Sequence, residues 1–250
     1  MKKIISTLFL LLLTLGLPAQ LSYVYVQIPS AEMEVQYIWQ NIRDIEFFER
    51  NNYQLSLPHH ELIEELKTKA KKKELEQKDY DRLLSTFSSE LYKPDAYTEG
   101  YEKIVRELPQ IEKIFETLST YQKQWGFNEF NRYQVNLTLY GPGGSYDPDR
   151  GSILIMTNGQ GGFKGYQNPS YTIIHEIVHI GIEAPIVQRF KLSHTLKERI
   201  VDLFVSLHFP ELVPNYQLQS FGDKRIDSCL KSTKDFEDLP GVIERFLQNK

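Results

Sequence analysis

The rhythm of apolar and polar positions changes once along the chain, near Trp125. From Ala31 to Gln124 apolar side chains recur every three or four residues, the period of helices with one buried stripe. "AEMEVQYIWQNIRDIEFFER" (31–50) has this spacing, and "LPHHELIEELKTKA" (57–70) adds Pro58, a good first-turn residue, to a run of strong helix formers. "DYDRLLSTFSSELY" (79–92) and "YEKIVRELPQIEKIFETLSTYQKQW" (101–125) continue the pattern, with Pro109 expected to kink or break the latter. Beyond Trp125, "YQVNLTLYG" (133–141) alternates and is rich in β-formers, which predicts a strand. "GPGGSYDPDRG" (141–151) is dense in turn residues, "SILIMTN" (152–158) reads as a second short strand, and "GQGGFKGYQNPS" (159–170) as a flexible loop. Asn168 is then placed to cap a helix with Pro169 in its first turn, ending near Gly181. Another helix is expected from Ser193 to about His208, followed by Pro210. This order predicts an α+β fold, mostly helical, with a small sheet ahead of the 168–181 helix.

The first residues change the picture of where the protein works. "MKKIISTLFLLLLTLGLPAQ" has a positive start at Lys2 and Lys3, an apolar stretch to Leu17 and a small residue, Ala19, before Gln20. That is the pattern of a secretory signal peptide over residues 1–19, too short to span a membrane comfortably. The expected location is periplasmic or extracellular, with no membrane span after cleavage. No cysteine lies near the cut, which argues against a lipid anchor. Residues 20–126 then form a helical N-terminal region and residues 127–250 a second unit.

Composition narrows the chemistry. The net charge is −4, and no basic block tracks a polyanion, so nucleic acid is not an expected partner. "KTKAKKKELEQK" (67–78) intersperses glutamates and reads as a solvated helix face. Cys229 is the single cysteine, so an exported chain has no internal disulfide and relies on core packing and a metal.

"TIIHEIVHIGIE" (172–183) places His175 and His179 four apart, with Glu176 after the first. On a helix, positions i and i+4 lie one above the other, so two imidazoles face one ion. Glu176 projects about 100° away, toward a water on that ion, where a carboxylate acts as general base. A third ligand is expected from "KERIVDLF" (197–204), where Glu198 and Asp202 are again four apart. One carboxylate can bind the metal, and the other, a turn later, can accept the N–H of a ligand histidine. Arg199 faces away, while Val201, Phe204 and Val205 bury the helix. Glu183 competes on paper. It is eight residues from His175, about 12 Å along a straight helix, too far for a shared ion.

"HEIVH" (175–179) followed by "ERIVD" (198–202) resembles the thermolysin-like zinc metallopeptidases, the gluzincins of the zincin group, over about residues 133 to 209. The resemblance implies one Zn2+ held by His175, His179 and Glu198, Glu176 as base, Asp202 supporting His175, and a zincin-like catalytic core in residues 127–250. It also implies that 152–158 is the edge strand that aligns substrate. An oxyanion-stabilising Tyr or His is expected too; Tyr216 and His208 are candidates, with Tyr171 and Arg225 behind them.

The implied function is that of a secreted zinc metallopeptidase acting on a peptide or protein substrate, with loop 159–168 and its glycines as a flap. A second reading is a zincin-like binding protein that holds zinc without peptidase activity, because no motif singles out the oxyanion donor. A third is a helical interaction protein with no metal.

Overall fold

Strand β2 (Arg132–Thr138) alternates buried Tyr133, Val135 and Leu137 with half-buried Gln134 and Asn136, so one face must be covered and the other can stay polar. The computed structural model describes residues 22–165 and 167–248; the expected signal peptide lies outside them. β2 pairs in parallel on one side with β1 (Tyr23–Gln27) and on the other with β4 (Ser152–Met156). A short strand, β3 (Ser145–Asp147), runs antiparallel to β4, giving the sheet order β1-β2-β4-β3. The expected α+β class is what the chain adopts.

Three departures from the expected strands have one cause, which is pairing. β1 was not anticipated, because five residues of "YVYVQ" become a strand only when β2 lies beside them. β3 sits inside the turn-rich segment 141–151, where Gly and Pro neighbours mask a three-residue strand. β4 was expected at the edge but is flanked on both sides, so the free edge next to the motif helix belongs to β3.

The helices follow the predicted rhythm. α1 (Ala31–Arg43), α2 (Ile45–Arg50), α3 (Glu61–Lys71) and α4 (Gln77–Thr86) come first. Ser30 caps α1 by accepting from Met33 N–H. α5 (Thr98–Ile111) carries Pro109 in its last turn and gives way to a tighter 3₁₀ turn at Glu112–Ile114 before α6 (Phe115–Trp125). Gly126 ends α6 in the left-handed region at φ +83°. α7 (Pro169–Ile182), α8 (His194–His208) and α9 (Leu239–Gln248) complete the set.

Two cores form. The smaller gathers Val35, Ile38, Ile42, Leu62, Leu66, Leu83 and Phe87 from α1, α3 and α4 and the turn after α4. The larger joins the buried sheet face to α5, α6, α7 and α8, so residues on both sides of 126 share it. Glu34 of α1, 1% exposed, links the two. Its carboxylate accepts from Tyr97 Oη at 2.5 Å, Thr138 Oγ1 at 2.7 Å and Leu139 N at 3.1 Å. A buried carboxylate with three donors is satisfied, and it fastens α1 to the end of β2. The outer sheet face carries a polar ladder, in which Gln134 donates to Gln27 and Asn136 to Ser152.

As expected, α7 ends near Gly181: its last residue is Ile182, after which the chain widens into a π-helical turn at Glu183–Gln188. A Cβ at 181 would lie 1.8 Å from Phe127 Cζ. The glycine is there so that Phe127 can press onto the helix backbone, an approach that Asn128 N–H seals by donating to Gly181 O at 2.8 Å.

Candidate metal centre

Asn168 caps α7 by accepting from Ser170 N–H at 2.9 Å, and Pro169 occupies the first turn. Ile173, Ile174, Ile177, Val178, Ile180 and Ile182 are fully buried, so α7 is enclosed on nearly every side. Its two histidines are therefore buried among neighbouring elements. α8 starts at Ser193, whose hydroxyl accepts from Leu196 N–H, and buries Leu196, Ile200, Val201, Phe204 and Val205. That leaves Glu198 and Asp202 facing α7, 7% and 0% exposed. Arg199 points the other way and makes a partly buried two-pronged pair with Asp227.

Three atoms converge. His175 Nε2 and His179 Nε2 are 2.9 Å apart, His179 Nε2 and Glu198 Oε2 3.2 Å, and His175 Nε2 and Glu198 Oε2 3.5 Å. Ligand atoms about 2 Å from one tetrahedral cation lie roughly 3 to 4 Å from each other. Among the described residues, this trio is the group arranged to hold a metal ion. Glu183 is not in it; its carboxylate accepts from Tyr146 Oη at 2.9 Å.

The electrostatics also favour a cation. Burial opposes ionisation of Glu198, yet the two imidazoles hold its carboxyl well below the usual range. Burial pushes His179 down to about 4, keeping it the neutral imidazole a metal needs. Burial likewise pushes Glu176 up to about 7. Among the described residues, Glu176 has no hydrogen-bond partner, so its carboxylate is open to the cleft.

The orientation of each ring has its own cause. Tyr216 Oη donates to Asp202 Oδ1 at 2.9 Å and lies 2.5 Å from His175 Nδ1, from which it accepts. With Nδ1 protonated, the lone pair of His175 is on Nε2, toward the other two atoms. Asp202 was expected to hold His175 directly; the two are 3.7 Å apart and the tyrosine hydroxyl carries the contact. Asp202 Oδ2 accepts from Gln219 N–H at 2.6 Å. The His179 ring is instead stacked on Tyr146, centroids 4.9 Å apart and planes 9° off parallel. Its Nδ1 is buried without a partner among the described residues.

A cleft of about 420 Å³ opens over the trio, lined by Tyr53, Gly144, Ser145, Tyr146, Glu176, His194, Lys197, Gln219 and Phe221 as well as the three converging residues. Tyr53 comes from the segment after α2, so the N-terminal helices supply one wall. β3 supplies another. Among the described residues of 159–168, the expected flap, none lines this cleft, and Lys103 Nζ donates to Gly161 O, fastening the loop to α5.

None of the four oxyanion candidates is among the residues that line the cleft. Tyr216 supports His175 from behind, away from the cleft. His208 is half-buried against the larger core, where Nδ1–H donates to Phe204 O at 2.8 Å and Nε2 accepts from Tyr121 Oη at 2.6 Å. Tyr171 Oη donates to Pro214 O, and Arg225 pairs with Asp223. Polar groups that do face the cleft include Tyr146, His194, Lys197 and Gln219. His194 and Lys197 lie one turn or less from Glu198 on α8, a signal that the spacing of "HTLKE" (194–198) offered. Tyr146 and Gln219 sit on segments without periodicity, and no sequence signal pointed to them.

No protein-family model matches this chain, and neither does any curated protein or solved structure.

Proposed function

We propose that this chain is an exported zinc metallopeptidase. The observation that carries the reading is the convergence of His175 Nε2, His179 Nε2 and Glu198 Oε2 within 2.9 to 3.5 Å, with Glu176 beside them in one cleft. The chemistry a zinc ion supplies when bound there is Lewis acidity toward a carbonyl oxygen and toward water. His175, His179 and Glu198 would hold it, and Tyr216 with Asp202 keep His175 in the tautomer that leaves Nε2 free. Glu176 is the group available to take a proton from water and return it to a leaving amine. β3 borders the cleft at the sheet edge, where an extended peptide can add as a further strand through backbone hydrogen bonds. His194 and Lys197 are cleft-lining side chains available to stabilise developing negative charge.

Metal analysis of the purified protein, paired with a peptide-library cleavage assay on wild type and Glu176→Gln, tests this. The expected result is one zinc per chain in both proteins and hydrolysis in the wild type alone. A protein that takes up no zinc, or a Glu176→Gln variant that cleaves as fast as the wild type, defeats the reading.

The second reading, a zinc-holding protein without peptidase activity, is favoured by one observation. The Gln219 amide contacts Glu198 and His175 from within the cleft, where a catalytic site needs room for water. Zinc uptake without hydrolysis of any peptide in the library would select it.

A further inference from the structure

The segment between α8 and the 3₁₀ turn at Lys224–Ser228 borders the cleft as a strap through Gln219 and Phe221, and its fastenings are specific. Tyr216 Oη contacts His175 and Asp202 at its middle. Asp223 N–H donates to Thr195 O at 2.9 Å at its end. Gly222 packs against Arg199, where a Cβ would lie 3.1 Å from Arg199 Cβ. Between these points Gln219 N–H donates to Asp202 Oδ2 at 2.6 Å. Asp202, 0% exposed, therefore uses one oxygen to orient His175 through Tyr216 and the other to position Gln219.

That placement brings the Gln219 side chain into the trio. Its Nε2 donates to Glu198 Oε2 at 2.8 Å and lies 3.5 Å from His175 Nε2. Both are the atoms that face the metal position. A carboxamide presents a donor and an acceptor of nearly identical shape, and a half-turn about its last torsion exchanges them with no backbone movement. Where three ligand atoms face only one another, the amide N–H is the suitable end to offer Glu198. Where they share a cation, the amide oxygen is.

We propose that Gln219 is a fourth protein ligand, one that caps the metal centre and must be displaced before any other molecule reaches the ion. The proposal rests on the metal reading above and extends it to how the site is regulated. A neutral amide oxygen carries no charge, so it binds a cation more weakly than the imidazoles and carboxylate beside it. A carbonyl-containing ligand can exchange with it. The strap also carries Leu218 and Phe221, 39% and 50% exposed, on either side of Gln219.

The test reads coordination and not catalysis. Zinc affinity is measured by chelator competition on full-length wild type, Gln219→Ala and Gln219→Glu, and each protein is loaded with Co(II) and titrated with acetohydroxamate. All three keep the backbone N–H that Asp202 accepts, and thermal melts establish that each is folded. Gln219→Ala is expected to bind zinc about tenfold or more weakly, to change the Co(II) visible spectrum, and to bind hydroxamate more tightly than the wild type. Gln219→Glu, with a charged oxygen in the same place, is expected to bind zinc more tightly and hydroxamate more weakly. A Gln219→Ala protein whose zinc affinity, Co(II) spectrum and hydroxamate binding equal those of the wild type overturns the proposal. So does a Gln219→Glu protein with lower zinc affinity, the result of repulsion from Glu198 when no ion lies between them. Lack of peptidase activity touches none of these readings, whereas a wild type that takes up neither zinc nor cobalt defeats the metal centre itself.

Discussion

Asp202 reaches His175 through a third residue: the two are 3.7 Å apart, and the Tyr216 hydroxyl sits between them, 2.5 Å from His175 Nδ1 and 2.9 Å from Asp202 Oδ1. The carboxylate polarises the hydroxyl, and the hydroxyl orients the imidazole. Tyr216→Phe removes the relay while keeping the ring, and zinc affinity is expected to fall roughly 10- to 100-fold. Chelator competition measures it. An unchanged affinity would mean that Asp202 acts on His175 without the tyrosine.

The third ligand separates two glutamates by geometry. Glu198→Ala is expected to lower zinc affinity by orders of magnitude, because Glu198 Oε2 lies within 3.5 Å of both imidazole nitrogens. Glu183→Ala is expected to leave it largely intact, since that carboxylate faces Tyr146. The reverse pattern in a zinc titration would remove Glu198 from the centre.

Gly181→Ala places a methyl group 1.8 Å from Phe127 Cζ, so the ring or helix α7 must move. A loss of about 1–3 kcal/mol in urea denaturation is expected, the usual range for overpacking. Because the two sites touch, Phe127→Leu in the Gly181→Ala background should recover part of the loss. Equal stability of Gly181→Ala and wild type would show that the contact is loose.

His208 gives the fold a pH dependence of calculable sign. Burial pushes its pKa down to about 4, against about 6.5 unfolded. Above about pH 6.5 both states are neutral, and this group's contribution to stability is complete. As pH falls from there toward 4, the unfolded chain gains a proton that the folded one refuses. Stability from this group then drops by ~1.4 kcal/mol per pH unit. His208→Phe is expected to have the shallower decline over that window. Denaturation curves of both proteins at several pH values measure the difference; parallel declines would contradict the burial argument.

Glu34→Ala leaves Tyr97 Oη, Thr138 Oγ1 and Leu139 N–H without their shared acceptor in a buried site. Each unsatisfied donor costs about 1–3 kcal/mol, so the junction between α1 and β2 should open. Limited proteolysis is expected to cut between Arg43 and Pro58 faster in the variant than in the wild type. Identical cleavage rates would show that the two cores stay joined without Glu34.

Local pattern alone determined much of this protein. The period of three to four placed α1 through α6, Asn168 and Ser193 marked the starts of α7 and α8, and the alternation of "YQVNLTLYG" placed β2. These features depend on residues close in the chain, where spacing and side-chain caps act without help from a fold. The same holds for the histidine pair, since i and i+4 share a helix face in any helix, and for Glu198 and Asp202 on theirs.

Tertiary structure decided the rest. Whether "SILIMTN" lies inside or at the edge of the sheet depends on β3, a strand that exists through its pairing with β4. Gly181 marks the helix end by itself, but that Phe127, 54 residues away in sequence, presses onto its backbone is settled by the fold. Tyr216 and Gln219 lie on an irregular segment, and they reach the centre because Asp202, buried on α8, offers an oxygen to each. A buried carboxylate must collect its hydrogen bonds from whatever the fold brings near, and no periodicity in the chain records which residues those are.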